Sequence, residues 1–269
     1  MTDGIDRKRY ESDLTDEEWA LIAPLVAQRP GQGRKRTVST REVVNAIVYL
    51  NKTGCQWEML PHDFPQYKLV NYYYLEWTRS GVWAVALDIL RELARVTAGK
   101  SPEPTAAILD RQSVKTTGHG DERGYDAGKP VQGRKRHIIV DTLGCLLLVL
   151  VTSASTQDRA GGLDLCVDLQ QKFAQIKKIW ADQSYAGELA DFIRQHFPFD
   201  LEIVKGAADQ RGFQVQPKRW IVERVFGWLN PFRRLSKDDE NTVESSESMV
   251  KIAHIRLMLR KVIPALYAF

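Results

Sequence analysis

The sequence predicts an α/β fold: a mixed sheet flanked by helices over residues 101–269, preceded by an all-helical segment over residues 1–100. Three observations support this prediction. Helix-start signals and apolar residues at helical spacing recur in the first hundred residues. A stretch of prolines and small polar residues at 97–105 marks a domain boundary. Beyond it, short apolar runs typical of strands alternate with amphipathic helical segments, as in α/β proteins.

The first two helices carry the same N-terminal signal. Thr15 and Glu18 form a predicted capping box at the first helix, and Ser39 and Glu42 form another at the second. Gly54 stands where a helix commonly ends in a left-handed residue. These signals predict where both helices start and where the second one ends.

Two further helices are predicted over residues 68–81 and 82–96. This region carries several tyrosines together with Lys68 and Arg79. A helix, a short turn and a helix with such side chains is compatible with a helix-turn-helix reader of DNA, and a plain helical bundle is the alternative. We therefore expect residues 1–100 to form a helical DNA-binding domain.

The second part is predicted to contain three strands, a helix, a strand, a helix, a strand and then two helices. Residues 118–136 are expected to form a glycine-rich, charged loop, and the sequence DTLG at 141–144 is a turn between the second and third strands. An antiparallel start followed by strand–helix–strand units predicts a mixed sheet. The strands are expected within 106–110, 137–152, 177–182 and 200–205, and the helices within 161–173, 187–196, 219–240 and 247–262.

Composition narrows the class of protein. The net charge of +4 permits a nucleic-acid partner without proving one. Three cysteines without CxxC spacing argue against a disulfide framework or a zinc site and favour a reducing compartment. The longest clean apolar run, 145–151, is too short to cross a bilayer, and the N-terminus lacks a signal-peptide core. We expect a soluble cytoplasmic protein without a membrane partner.

Two acids end predicted strands. Asp110 closes the run AAILD, and Asp182 closes KKIWAD. In α/β proteins the carboxyl ends of strands face the crevice that binds ligands. A carboxylate beside apolar strand residues is costly unless a cation compensates it. Converging acids without a cysteine or histidine cluster suit a hard ion such as Mg²⁺.

A third acid, Glu223, lies on the predicted helix of residues 219–240. A helical wheel places it opposite the core face and close to Arg219. It forms either a solvated ion pair with Arg219, four residues earlier, or a metal ligand flanked by phosphate-binding cations. Helix geometry alone leaves these two interpretations about even.

Three stretches of the sequence resemble the signature blocks of insertion-sequence transposases of the IS5 family, which are of the DDE type. They are ILDRQSVKTT around Asp110, WADQSYAG around Asp182, and RWIVERVFGWLNPFRRLSKD, which contains Arg219 and Glu223. The stretch 14–61 is similar to the helical domain that precedes the catalytic domain in that family. The resemblance covers nearly the whole chain and implies a ribonuclease-H-like catalytic domain over residues 101–269.

The resemblance implies metal-dependent phosphoryl transfer. Asp110, Asp182 and Glu223 would hold two Mg²⁺ ions about 3.5–4 Å apart, or Mn²⁺ in their place. Water as nucleophile would nick DNA at the element's end, and the freed 3′-hydroxyl would then join target DNA. The implied partners are double-stranded DNA, namely terminal inverted repeats and target, and further copies of the chain in a dimer or higher oligomer. The implied location is the bacterial cytoplasm, at the nucleoid.

Basic residues near the signature blocks are the predicted DNA contacts, although each of them is also compatible with a solvated surface charge. His137 and Tyr185 are near enough in sequence to position a phosphate or a base, and packing on a strand face is equally possible for His137. The predicted phosphate contacts are Lys115, Arg134, Lys135, Arg136, Arg219, Arg224, Arg233 and Arg234.

Arg111, Pro231 and Asp239 depart from the family pattern, and Gln216 and Asn230 stand where a wider signature of the family has tyrosine and lysine. Because Pro231 clashes with the preceding helical turn, the helix is expected to kink or end there. Two alternatives to an active transposase remain, a catalytically inactive DNA-binding relic and another ribonuclease-H-like nuclease.

Overall fold

The computed structural model describes residues 7–28, 36–117, 120–204 and 218–266. The N-terminal segment forms four helices, as predicted. They are α1 (Asp16–Val26), α2 (Thr40–Thr53), α3 (Tyr67–Arg79) and α4 (Val82–Thr97). Among the helices of the described residues, none combines the length and the apolar character that crossing a membrane requires.

The capping signals are confirmed in most of their detail. The capping box of Thr15 and Glu18 is complete, and Gly54 ends α2 with a left-handed φ of 71°. Ser39 accepts a hydrogen bond from the backbone N–H of Glu42. The carboxylate of Glu42 does not close that box but accepts a hydrogen bond from Nε of Arg7 at 2.8 Å. The second box is therefore only half formed.

The C-terminal segment forms the predicted mixed sheet with helices on both sides. Its strands are β1 (Ala106–Lys115), β2 (Gly124–Asp126), β3 (Val131–Asp141), β4 (Leu146–Ser153), β5 (Lys178–Ala181) and β6 (Asp200–Ile203). Its helices are α5 (Asp158–Lys172), α6 (Glu188–His196), α7 (Trp220–Leu229) and α8 (Val243–Leu266). The prediction of a loop over 118–136 is wrong in part, because β2 and the first half of β3 lie there.

The strand order is that of a ribonuclease-H-like domain. Along the sheet the strands run β2-β3-β1-β5-β6, and β4 pairs with β3. β3 pairs antiparallel with β1, β2 and β4, whereas β5 is parallel to both β1 and β6. The five longer strands thus combine an antiparallel meander with two parallel additions, as the resemblance implied.

The two faces of the sheet pack against different partners because successive strand residues point to opposite sides. Ile108 and Ile138 belong to a core that includes residues of α7, α8 and the N-terminal helices. Leu109 and Ile139 belong to a second core with residues of α5 and α6. A residue's place on β1 therefore decides which of the two layers it meets.

The N-terminal helices share the first core with the sheet. Buried polar contacts join them to α8: the Tyr74 hydroxyl donates to the Ser245 carbonyl at 2.7 Å, and Asn51 Nδ2 donates to the Met249 carbonyl at 3.0 Å. The proposed boundary at 97–105 falls between α4 and β1. A continuous core across that boundary means that the helical segment and the sheet support each other.

The helix expected over 219–240 is much shorter. α7 ends at Leu229, and a short 3-10 helix follows at Arg233–Leu235. The end falls just before Pro231, in agreement with the prediction of a break there. Phe232 and Leu235 are buried, but they lie beyond the helix.

Candidate active site

Asp110 lies on β1 where the parallel part of the sheet ends. β1 pairs with β5 only as far as Leu109 opposite Ala181, and beyond that point it continues against β3. The strand ends at Lys115, which corrects the prediction that Asp110 ends it. Because Asp110 lies two residues after Ile108, it points to the same sheet face, the one that packs against α7.

The Asp110 carboxylate is buried and partly compensated. Its Oδ1 accepts a hydrogen bond from the backbone N–H of Arg111 at 2.7 Å. Burial raises the pKa of Asp110, while that backbone N–H and the guanidinium of Arg219 oppose the shift. A carboxylate withdrawn from water in this way favours a cation beside it.

Asp182 follows β5 directly, as predicted, and caps the 3-10 turn Gln183–Tyr185. Its Oδ1 accepts hydrogen bonds from Ser184, from the backbone N–H at 2.9 Å and from Oγ at 2.5 Å. Sequence reasoning missed the role of Ser184. The pattern Asp-x-Ser after a strand is the signal that predicts such an Asx-type turn.

Glu223 lies in the first turns of α7 on its outward side. Ile221, Val222 and Val225 are buried on the inward side of the helix. The side chain of Glu223 is 46% exposed to solvent. Arg219 is the N-cap residue of the same helix, and its side chain is 14% exposed.

One nitrogen atom links the three acids. Nη2 of Arg219 lies 3.4 Å from Asp110 Oδ2, 3.9 Å from Asp182 Oδ2 and 3.6 Å from Glu223 Oε1. In both aspartates Oδ1 is held by local hydrogen bonds, and Oδ2 is the oxygen that faces Arg219. The structure thus brings the three predicted acids together around one point.

The residues at this point fit a hard divalent cation by their chemistry. Carboxylate oxygens are the ligands that Mg²⁺ and Mn²⁺ prefer, and the locally held Oδ1 atoms orient the two aspartates. Within the described part of the chain, however, no group of three or more acidic, histidine or cysteine side chains is arranged as a finished metal site. Each of the three acids instead contacts the guanidinium of Arg219.

Two of the predicted phosphate contacts, Arg134 and Arg136, are buried ion-pair partners. Arg134 Nη1 lies 3.0 Å from Asp238 Oδ1 and donates to the Glu240 carbonyl at 2.9 Å. Arg136 Nη1 donates to the Leu235 carbonyl at 2.7 Å. Both alternate along β3 with residues of the opposite face and anchor the segment after α7. Their burial contradicts the prediction that they contact DNA.

Lys135 is buried on the opposite face of the sheet. Its Nζ lies 2.8 Å from Asp158 Oδ1, and Arg111 Nη2 lies 2.6 Å from Asp158 Oδ2. Arg111 and Lys135 also approach Asp126. The prediction that Lys135 contacts DNA is therefore wrong, and the unusual Arg111 has a structural explanation, because strand alternation turns it away from the acids.

His137 and Tyr185 are buried against two glycines of α5. A Cβ on Gly161 would come within 2.6 Å of the His137 ring, and one on Gly162 within 2.7 Å of the Tyr185 ring. Burial lowers the pKa of His137 to about 4 and raises the pKa of Tyr185 well above its usual value. The packing alternative for His137 is confirmed, and burial also excludes Tyr185 as a direct contact of DNA.

Arg234 and Arg224 are held by neighbouring side chains. Arg234 Nε donates to Glu240 Oε1 at 2.7 Å in a buried pair, which contradicts a role in binding phosphate. The Arg224 guanidinium lies 4.5 Å from the ring centroids of both Trp220 and Trp228. It is half-buried between them.

The remaining predicted contacts differ in exposure. Lys115 and Arg233 are exposed. Arg219 is occupied by the three acids. Of the basic side chains predicted to bind DNA, these three, together with the half-buried Arg224, are the ones that the structure leaves at or near the surface.

Comparisons with known proteins cover both parts of the chain. Residues 14–87 match a family model described as "Putative transposase of IS4/5 family", and residues 101–258 match a model described as "Transposase DDE domain". The "Insertion element IS402 uncharacterized 16.2 kDa protein" of Burkholderia cepacia is 28% identical over 117 residues, which are 41% of this chain and 78% of that protein. The crystal structure of the Mos1 strand transfer complex aligns over 88% of this chain and 80% of that chain at 13% identity, with a TM-score of 0.25.

Proposed function

The chain belongs to the family of transposases with a DDE domain, and from this premise we propose that it binds the ends of an insertion sequence and catalyses strand cleavage and strand transfer. The acids that we assign to this chemistry are Asp110, Asp182 and Glu223. The observation that carries the assignment is the approach of one oxygen from each acid to the same atom, Nη2 of Arg219.

The site has features that phosphoryl transfer needs. When bound to these acids, Mg²⁺ or Mn²⁺ would supply Lewis-acid stabilisation of the charge on the reacting phosphate and lower the pKa of an attacking hydroxyl. Asp110 supplies a carboxylate from the central strand of the sheet, where the backbone N–H of Arg111 orients it. Ser184 does the same for Asp182. Glu223 adds an exposed carboxylate at the side that DNA would approach.

We propose that exposed cations hold the DNA around this site. Lys115, Arg219 and Arg233 are the proposed phosphate contacts, and α3 offers a further surface. Lys68, Tyr72 and Arg79 are exposed along α3, as a helix that reads DNA requires. Assembly as a dimer or higher oligomer on DNA, in the bacterial cytoplasm at the nucleoid, completes the proposal.

The test of catalysis is metal-dependent nicking of DNA that carries the inverted repeats flanking the reading frame. We expect activity with Mg²⁺ or Mn²⁺ in the wild-type protein and its loss in Asp110→Asn and Glu223→Gln. The matched control is Glu188→Gln, which removes an acid whose side chain is 95% exposed on α6. Nicking that survives Asp110→Asn would refute the assignment, and end binding without any nicking would identify a relic.

A second test asks whether α3 recognises the element's ends, a function that another ribonuclease-H-like nuclease would not need. Deleting the N-terminal helices would disrupt the core that they share with α8, so point substitutions on α3 are the better probe. We expect Lys68→Gln and Arg79→Gln to weaken binding to the element's ends. If both variants and their combination bind the ends as the wild type does, α3 is not the reader.

A further inference from the structure

Arg219 is placed where a cation compensates all three acids at once. Its Nη2 lies between 3.4 and 3.9 Å from an oxygen of Asp110, Asp182 and Glu223. The Arg219 side chain is only 14% exposed and that of Asp110 only 10%, so their contact is largely shielded from water, and opposite charges attract more strongly in such surroundings. A helix-surface ion pair with Glu223 alone would not require this approach to the two aspartates.

The oxygens that face Arg219 are the ones that a divalent cation would need. In Asp110 and Asp182 the other oxygen, Oδ1, is already bound by Arg111 or Ser184. Oδ2 of each aspartate is therefore the oxygen that can bind a cation, and it is also the oxygen that faces Nη2 of Arg219. A guanidinium is a monovalent, planar donor, whereas Mg²⁺ or Mn²⁺ requires direct oxygen ligands. Because Nη2 of Arg219 occupies the point on which the three carboxylate oxygens converge, a divalent cation bound by all three would need the same position, so the two cations compete.

We propose that Arg219 is the resident counterion of the three acids and that a divalent cation binds there only by displacing its guanidinium. This inference rests on the proposed function, since it assumes that the acids hold metal. It gives Arg219 two successive partners: the acids first and, once displaced, a phosphate of bound DNA at the same end of α7. Arg219 is thus a positioning residue that sets the affinity of the site for metal.

The experiment measures Mn²⁺ binding to the full-length protein without DNA by isothermal titration calorimetry. Arg219→Gln removes the competing charge, so we expect Mn²⁺ to bind at least about 5-fold more tightly than to the wild type. Arg219→Lys keeps a charge but loses the planar fork, and its affinity should lie between the two. Arg224→Gln is the matched control, because this arginine lies on the same helix between two tryptophans. Its Mn²⁺ affinity should equal that of the wild type.

Thermal unfolding supplies a second readout. In EDTA, Arg219→Gln should melt below the wild type, because three acids are left without their counterion. Saturating Mn²⁺ should remove that difference, because bound metal then compensates the three acids in both proteins. A difference in melting temperature that persists unchanged in Mn²⁺ would indicate that Arg219 only supports α7, and would overturn the inference.

The outcomes separate the inference from the function on which it rests. Mn²⁺ binding that is lost in Asp110→Asn but is unchanged or weaker in Arg219→Gln overturns the inference and leaves the proposed metal chemistry intact. Absence of Mn²⁺ binding in both the wild type and Arg219→Gln overturns the inference together with that chemistry. Tighter binding in Arg219→Gln, with Arg224→Gln unchanged, supports it.

Discussion

Arg134→Met tests whether this residue is a structural anchor and not a contact of DNA. The Arg134 side chain is 1% exposed and that of Asp238 is fully buried. Besides Asp238, the guanidinium of Arg134 binds three carbonyls, of Asp121 at 2.6 Å, Glu240 at 2.9 Å and Asn241 at 3.2 Å. Methionine keeps much of the volume but removes the charge and all these donors.

The expected loss of stability follows from what remains buried after the substitution. Removing one partner of a buried ion pair costs about 3–5 kcal/mol, because the other charge is left uncompensated. The Asp238 carboxylate keeps three partners, the guanidinium of Arg136 at 3.5 Å, the hydroxyl of Ser246 and the backbone N–H of Glu240 at 3.2 Å. We therefore expect a loss near the lower end of that range, about 3 kcal/mol.

Urea denaturation at pH 7 measures this loss of unfolding free energy. The double variant Arg134→Met/Asp238→Asn should recover part of it, because the stranded charge is removed as well. A loss below about 0.5 kcal/mol is typical of a surface site. If Arg134→Met showed so small a loss together with weaker, less salt-dependent DNA binding, the structural role that we assign to Arg134 would be refuted.

Three further predictions concern pH, packing and DNA. Burial lowers the pKa of His254 to about 3, so the unfolded chain takes up a proton at a higher pH than the folded protein does. The free energy of unfolding should therefore decrease by up to about 1.4 kcal/mol per pH unit as the pH is lowered from about 6.5 to about 3. Urea denaturation should show a shallower decrease in His254→Gln. Gly161→Ala should cost about 1–3 kcal/mol in urea denaturation because its Cβ meets the His137 ring, whereas Gly227→Ala, which meets no described atom within 4 Å, should stabilise the protein by up to about 1 kcal/mol. Lys115→Gln should leave stability unchanged and lower the salt dependence of DNA binding by about one phosphate contact.

The fold and the three acids could be predicted because their signals are local. Strand-like runs, capping residues and the break near Pro231 each lie within a few residues of sequence, and the signature blocks lie on those elements. Asp110 and Asp182 could be paired because each lies one residue past the last partners of the parallel ladder, Leu109 and Ala181. Helix geometry alone did not decide whether Glu223 is an ion-pair partner of Arg219 or a metal ligand. The two aspartates on their strands favoured the metal ligand.

The three basic residues of β3 could not be assigned from sequence because their partners are distant along the chain. Arg134 and Arg136 meet Asp238 about a hundred residues later, and the sequence does not show that this segment folds over β3. Lys135, between them, meets Asp158 on the other face. A run of cations that looks like a charged loop is therefore a strand whose charges are neutralised on both sides.

The three acids of the site differ in exposure, and this difference predicts their relative importance for metal binding. The side chain of Asp110 is 10% exposed, that of Asp182 is 27% exposed and that of Glu223 is 46% exposed. A buried carboxylate gains most from a cation, because water cannot compensate it. We therefore expect Asp110→Asn to weaken Mn²⁺ binding more than Glu223→Gln does in calorimetric titrations of the two variants. The opposite order would show that burial does not govern the strength of this site.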